Sequence, residues 1–201
     1  MTTHPDELLR EARTGDGAVL GRLLEQYRRY LALLARVQIG QRLQGKVDAS
    51  DLVQETFLEA HRNFGRFEGA SEPQFVRWLR QILAARLADL LRRYLGAQAR
   101  DVRLEREIED AFDRSSVLLD RGLVSPVSSP SQQAARREQA VLLADALGEL
   151  PDDYREVLVL RHLEGHTFPE VARRMGRTLD SVEKLWLRAL ARLRQQLGGP
   201  S

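Results

Sequence analysis

Cysteine is absent from this 201-residue chain, which leaves neither a disulfide framework nor a thiolate metal site. Histidine is scarce. His4, His61, His162 and His166 are scattered, and the pair at i, i+4 spans Gly165, a helix-ending residue, so the four read as ordinary polar side chains and no metal is expected. Only Pro5 and Pro73 precede position 126, and runs of β-branched residues are few. No apolar run is long enough to cross a membrane and no signal peptide is recognisable. A soluble cytoplasmic protein is therefore expected, long enough for one domain or two small ones. Nucleophile–base pairs, glycine-rich phosphate loops and metal-ligand clusters are missing too, so the chain is expected not to be an enzyme and to need no cofactor.

Charge is present in both signs and unevenly placed. The formal net charge is only +2, yet from Arg77 to Arg100 six arginines face one aspartate, while Asp101 to Gln133 holds seven acids against four arginines. Such blocks point to one face for phosphate and another segment for something basic.

Apolar residues recur at spacings of three and four, so the fold class is all-α. Two helical domains are expected, residues 1–100 and 131–201, joined over 101–130 by a flexible linker that is first acidic and then Ser/Pro-rich. Pro5 and Asp16 sit at expected helix starts. The second opens "GAVLGRLLEQYRRYLALLARV", whose stripe Leu20, Leu23, Leu24, Tyr27, Leu31 and Leu34 predicts one buried face, with Gly40 and Gly45 breaking the pattern. Asp48 precedes "ASDLVQETFLEAHRNF" as an N-cap, with Asp51 at N3, where a carboxylate favours the helix dipole. After the short loop "RFEGAS", Ser71 and Gln74 form an S-x-x-Q capping box for a long helix from about Pro73 to Tyr94. Trp78 falls in its apolar stripe with Phe75, Leu79 and Ile82, and is expected to pack in the core.

In the second domain "QQAARREQAVLLADALGEL" follows Ser131, and Pro151 opens "DDYREVLVLRHLE", which Gly165 stops. Thr167 and Glu170 make a T-x-x-E capping box for a short helix ended by Gly176. Thr178 then caps a helix to about Leu197 with the inner stripe Val182, Leu185, Trp186, Ala189, Leu193 and Leu197. Ser181, Lys184, Leu187, Arg188, Arg192 and Gln195 fall on its other side. A short helix, a three-residue turn and a second helix with a basic outer face is the helix-turn-helix arrangement, which places Lys184 and Arg188 to meet phosphates or guanine edges, the alternative being an amphipathic helix with a solvated basic face.

Two stretches, "DASDLVQETFLEAHRNFGRF" and "LPDDYREVLVLRHLEGHTFPEVARRMGRT", in this order resemble the bacterial extracytoplasmic-function (ECF) sigma factors, the small type that keeps the second and fourth conserved regions. The resemblance runs from about Asp6 to Leu197. The linker "SSPSQQAARREQ" and the ending "KLWLRALARLR" further resemble a subset associated with planctomycete-type bacteria. The resemblance implies a factor that binds core RNA polymerase, directs it to promoters and opens the −10 region. Asp51, Leu52, Gln54 and Glu55 match the D-L-x-Q-E element that docks on the polymerase's largest subunit. Arg77, Arg80, Gln81 and Arg86, with Arg92 and Arg93, match the part that binds and melts the −10 element. The loop Phe67 to Ser71, including Glu68 and Gly69, is expected to supply the pocket for an unstacked base. Arg177, Ser181, Lys184, Arg188 and Arg192 are expected at the −35 element. Glu105, Glu107, Glu109, Asp110 and Asp113 either mimic RNA in the polymerase cleft or form an ordinary solvated charge run. The implied partners are core RNA polymerase, promoter DNA and an anti-sigma factor, and the free chain is expected to be a monomer.

Two positions depart from the pattern. Ala85 stands where many relatives carry asparagine, and Glu183 where they often carry arginine or lysine. A response-regulator-type transcription factor has a similar DNA-binding end, but it carries a strand-containing domain in front, where this chain is helical with a DLVQE element. A helical module that binds no DNA leaves the basic faces unexplained.

Overall fold

The computed structural model describes residues 4–42, 48–95, 106–108, 110–111 and 132–197. All regular structure among them is helical. The chain divides into two compact units, Met1–Arg114 and Ser115–Ser201.

The first unit contains α1 (Pro5–Ala12), α2 (Gly17–Glu25), α3 (Arg28–Arg42), α4 (Ala49–Asn63), a 3-10 turn (Phe64–Arg66) and α5 (Glu72–Leu95). Its starts follow the local chemistry. Asp16 accepts from the Ala18 amide at 2.8 Å and Asp48 from the Ser50 amide at 2.8 Å, satisfying donors that a helix N-terminus leaves open. Gln74 Oε1 takes the Ala70 amide at 2.7 Å and the Ser71 amide at 3.3 Å, so the capping box at the head of α5 forms. Helices α1 and α2 pack together, as do α3 with α4 and α4 with α5. Tyr27, Tyr30, Leu31, Leu34, Leu52, Phe75, Leu79 and Leu83 are fully buried where these helices meet.

Two expectations need correction here. The stripe from Leu20 to Leu34 is buried throughout, but on two helices, because the chain turns at Gln26–Tyr27. The Tyr27 amide reaches back to the Leu24 carbonyl at 3.0 Å, a tightened turn, and the Tyr27 hydroxyl is tied to Glu72 at 2.8 Å. Gly40 does not end the helix: α3 runs through it to Arg42, and Gly45 lies outside the described residues. Of the acidic run, Glu105, Glu109 and Asp113 also lie outside them. Glu107 and Asp110 are exposed, while Ile108 and Ala111, each next in sequence to one of them, are buried, an amphipathic pattern that leaves both described acids in solvent.

The second unit contains α6 (Gln132–Gly148), α7 (Asp152–Leu158), which continues as a π turn over Val159–Leu163, then α8 (Phe168–Met175) and α9 (Leu179–Leu197). Helix α9 packs on α6, α7 and α8. Val182, Leu185, Ala189 and Leu193 form its buried edge, whereas Leu197, expected with them, is 43% exposed in the last turn. Gly165 and Gly176 have φ of +75° and +62°, the left-handed region in which a side chain is strained, and each ends a helical segment.

Candidate functional site

On α4 the Asp48 cap fixes the start, and the helix period then sorts the D-L-x-Q-E residues. Asp51, Gln54 and Glu55 are exposed on one side, with no ion pair at either carboxylate among the described residues. Leu52 does not share that face: it is 2% exposed and belongs to the core with Val53, Phe57 and Ala60. Its burial anchors α4 in the core. Sequence reasoning passed over Leu58, which is 51% exposed. Seven residues after Asp51 and four after Gln54, it continues the same stripe, and that spacing was a signal available in the sequence.

The loop after α4 is built around aromatic rings. Phe67 turns inward, its ring centroid 5.0 Å from that of Trp78, 5.7 Å from Phe75 and 6.2 Å from Phe64. Trp78 is half-buried in this cluster. Glu68 is exposed, whereas Gly69 is half-buried and so close to its neighbours that a Cβ would stand 2.8 Å from Gln74 Cβ and nearer still to the Phe67 ring. Only glycine fits at that point without moving Phe67.

Along α5, Arg77 and Gln81 are exposed, and Arg77 has no ion pair among the described residues. Arg80 is half-buried, donating to the Tyr30 hydroxyl at 3.3 Å. Arg86 and Arg92 converge on one carboxylate, Asp89, Arg86 at 3.2 Å and Arg92 in a short contact. Arg93 is exposed, and Ala85, partly covered, offers no polar group. The basic block thus splits into cations facing solvent and cations held by the fold.

In the second unit the capping box forms: the Glu170 carboxylate accepts from the Thr167 amide at 2.7 Å and its hydroxyl at 2.8 Å. Those two bonds hold the Glu170 carboxyl below its ordinary range, the amide bond contributing most. Helix α8, the turn Gly176–Thr178 and α9 follow as a helix-turn-helix, with the Ser181 amide donating to Thr178 Oγ1 at 3.3 Å. Arg188 and Arg192 are exposed without partners among the described residues, Lys184 pairs with Asp180 at 2.8 Å, and Arg177 makes a short ion pair with Asp153. Ser181 is partly covered, Glu183 is exposed, and Leu187, 59% exposed, stands among the cations. Behind this face Trp186 Nε1 donates to His162 Nε2 at 2.9 Å, which fixes the back of α9 against the π turn. Burial, and then the neighbouring Arg161, hold His162 below its ordinary value, so Nε2 is free to accept. His166 faces Glu164 at 3.1 Å. Among the described residues no three His, Cys, Asp or Glu side chains are placed to hold a metal, and no helix is long and apolar enough to cross a membrane.

Two helical units, one exposing carboxylates on a capped helix and the other presenting arginines on the second helix of a helix-turn-helix, are the architecture of a DNA-binding chain. The sigma-70 region 2 profile matches residues 23–95 and the sigma-70 region 4 profile residues 140–193. The RNA polymerase sigma factor NccH of Alcaligenes xylosoxydans xylosoxydans is 28% identical over 188 residues, covering 94% of this chain and 91% of that one. The ECF RNA polymerase sigma-E factor of Haemophilus influenzae is 28% identical over 185 residues, covering 90% and 89%. A solved structure of CnrH in complex with the cytosolic domain of CnrY covers 98% of this chain and 99% of that one, at 25% identity and a TM-score of 0.36. The chain belongs to the sigma-70 family, among its ECF members. It is a sigma factor that directs RNA polymerase to promoters for initiation, and members of this family are not enzymes in the catalytic sense.

Proposed function

We propose that the work is divided residue by residue as follows. The stripe Asp51, Gln54, Glu55 and Leu58 docks on core RNA polymerase, two carboxylates and an amide meeting basic groups while Leu58 fills an apolar site. Helix α5 and the loop Phe67 to Ser71 engage the −10 element once strands part, and Arg177, Ser181, Lys184, Arg188 and Arg192 engage the −35 duplex. Domain limits follow the sequence: 1–100 for region 2, 101–130 for the linker and 131–201 for region 4. The factor works in the cytoplasm, as a monomer when free, and an anti-sigma factor covers it when transcription is not required. CnrH, a related protein, has itself been solved with the cytosolic domain of CnrY. The linker and C-terminal sequences support placing the chain in the planctomycete-like subset.

The observation that carries this reading is the placement of Asp51, Gln54 and Glu55, exposed together on a helix whose opposite face is core. Run-off transcription on genomic promoter fragments with added core polymerase tests it. The variant Asp51→Ala/Glu55→Ala should lose about 10-fold or more in core affinity by pull-down, with transcription falling in step. Its helical circular dichroism should stay unchanged, because exposed carboxylates contribute little to folding. Full affinity in that variant would remove α4 from the docking surface.

A further inference from the structure

We propose that α1 is a brace that sets the position of the −10 loop, and that Arg13 is a positioning residue for strand opening. The proposal rests on the assignment of the Phe67 to Ser71 loop to the −10 element. Two charged side chains from opposite ends of α1 hold this segment at two points. Asp6 Oδ1 accepts from the Glu72 amide at 2.7 Å, which caps α5 from another helix. Arg13, immediately after the last turn of α1, donates from Nη2 to the Gly69 carbonyl in a short contact. Its guanidinium also lies 5.9 Å from the centroid of the Phe67 ring.

Two contacts at opposite ends of one stiff helix therefore bracket the irregular segment from Gly69 to Glu72. Beside Arg13 a cavity of about 420 Å³ opens between Arg13, Asp16, His61, Phe64 and Phe67, while Gln74 Oε1 takes the Ala70 and Ser71 amides from the other direction. Within the loop Gly69 is wedged between the Phe67 ring and Gln74, so a shift of its carbonyl moves the aromatic cluster with it. Helix α1 lies before residue 23, where the region 2 match begins. Fixing the loop before DNA arrives removes an ordering cost from the opening step, and this is how a residue that touches no base alters melting.

The test uses the full chain assembled with core polymerase, on a duplex promoter fragment recovered with wild-type holoenzyme and on the same fragment with a pre-melted bubble. Arg13→Met keeps the aliphatic stem and removes the donors, and Arg13→Lys restores one donor. Arg13→Met should cut permanganate reactivity of −10 thymines on the duplex by about 10-fold, the equivalent of one charge-assisted hydrogen bond. Promoter retention, its salt dependence and transcription from the bubble should stay within about 2-fold, and Arg13→Lys should recover most of the opening. Replacing Glu68 to Ser71 by a neutral linker of equal length should abolish opening, and adding Arg13→Met to it should cost nothing more. If that replacement is inactive on the duplex while Arg13→Met opens normally, the brace is refuted and the loop's role stands. If the replacement itself opens the duplex normally, the loop assignment fails and takes the brace with it. A loss by Arg13→Met that is equal on duplex and bubble, or a salt slope lowered by about 0.9, would refute positioning in favour of a general defect or a direct phosphate contact.

Discussion

Helices α5 and α9 both carry arginines toward nucleic acid in the proposed division of work, yet the two units treat those cations differently. On α5, Arg86 and Arg92 share Asp89, all three side chains being only about a third exposed, and Arg80 is tied to Tyr30. On α9, Arg188 and Arg192 stand in solvent, without partners among the described residues. Lys184 and Asp180, paired on the same outer face, are 63% and 74% exposed, so their attraction contributes no more than about 1 kcal/mol. A phosphate can displace Asp180 at little cost, whereas taking Arg86 or Arg92 from Asp89 breaks a partly desolvated contact. The proposed division of work thus places binding strength to duplex DNA mainly in the second unit. The first unit holds Arg80, Arg86 and Arg92 in its fold and leaves Arg77 and Arg93 facing solvent, which suits the proposed surface that acts after the strands have parted.

That contrast is broken most directly at α9. Arg188→Ala/Arg192→Ala should weaken holoenzyme binding to a −35-containing duplex by about 10- to 100-fold at low salt, with the slope of log affinity against log salt falling by about 0.9 for each phosphate no longer neutralised. Retained affinity and an unchanged slope in a salt titration would mean that the outer face of α9 stays clear of the groove.

The converse change acts on α5. Asp89→Asn removes the carboxylate that gathers Arg86 and Arg92, so the same titration should show binding strengthened by about 3-fold, with a slope steeper by up to about 1. Thermal stability should fall modestly, by about 1 kcal/mol, as charge-assisted bonds are replaced by a neutral one. No gain in binding would show that the α5 cations do not reach phosphate even when released, which sharpens the division between the units.

The parts of this architecture that were legible in the sequence are local ones. Asp16, Asp48, the Ser71–Gln74 pair and the Thr167–Glu170 pair each act within four residues, so a cap and its helix appear together in one short stretch. The helix-turn-helix was legible for the same reason. What could not be read depends on partners far away in the chain. Arg13 meets Gly69 across 56 residues and Asp6 meets Glu72 across 66, and neither pairing leaves a periodicity. The turn at Gln26–Tyr27 escaped because the apolar stripe continues through it, and the tie from Tyr27 to Glu72 spans 45 residues. Gly40 misled because helix propensity is a weak prior, and the tertiary packing of α3, with Val37 and Ile39 buried just before it, overrides the cost of a glycine. Leu52 misled in another way: a motif read as a string does not say which of its letters faces inward.

The smallest expected effect lies behind α9, where the second unit joins the second helix of its helix-turn-helix to the π turn through His162 and Trp186. His162 Nε2 accepts the indole N–H, so a proton on that nitrogen removes the acceptor. Burial holds the folded-state value below the ordinary 6.5, and Arg161 lowers it further. As pH falls below about 6.5 the unfolded chain therefore takes up the proton before the folded one does, and stability declines with acidification until the folded-state value is passed. Above that window the stabilisation is complete and constant. His162 is only half-buried, so water screens the effect, and the melting midpoint should fall by no more than about 2 °C between pH 7 and pH 5.5. Trp186 fluorescence in a Trp78→Phe background follows the second unit specifically, and His162→Gln, which has no titrating ring, should remove this part of the pH dependence. A midpoint that rises on acidification, or one that falls equally in His162→Gln, would show that the indole bond is not what couples α9 to the turn beneath it.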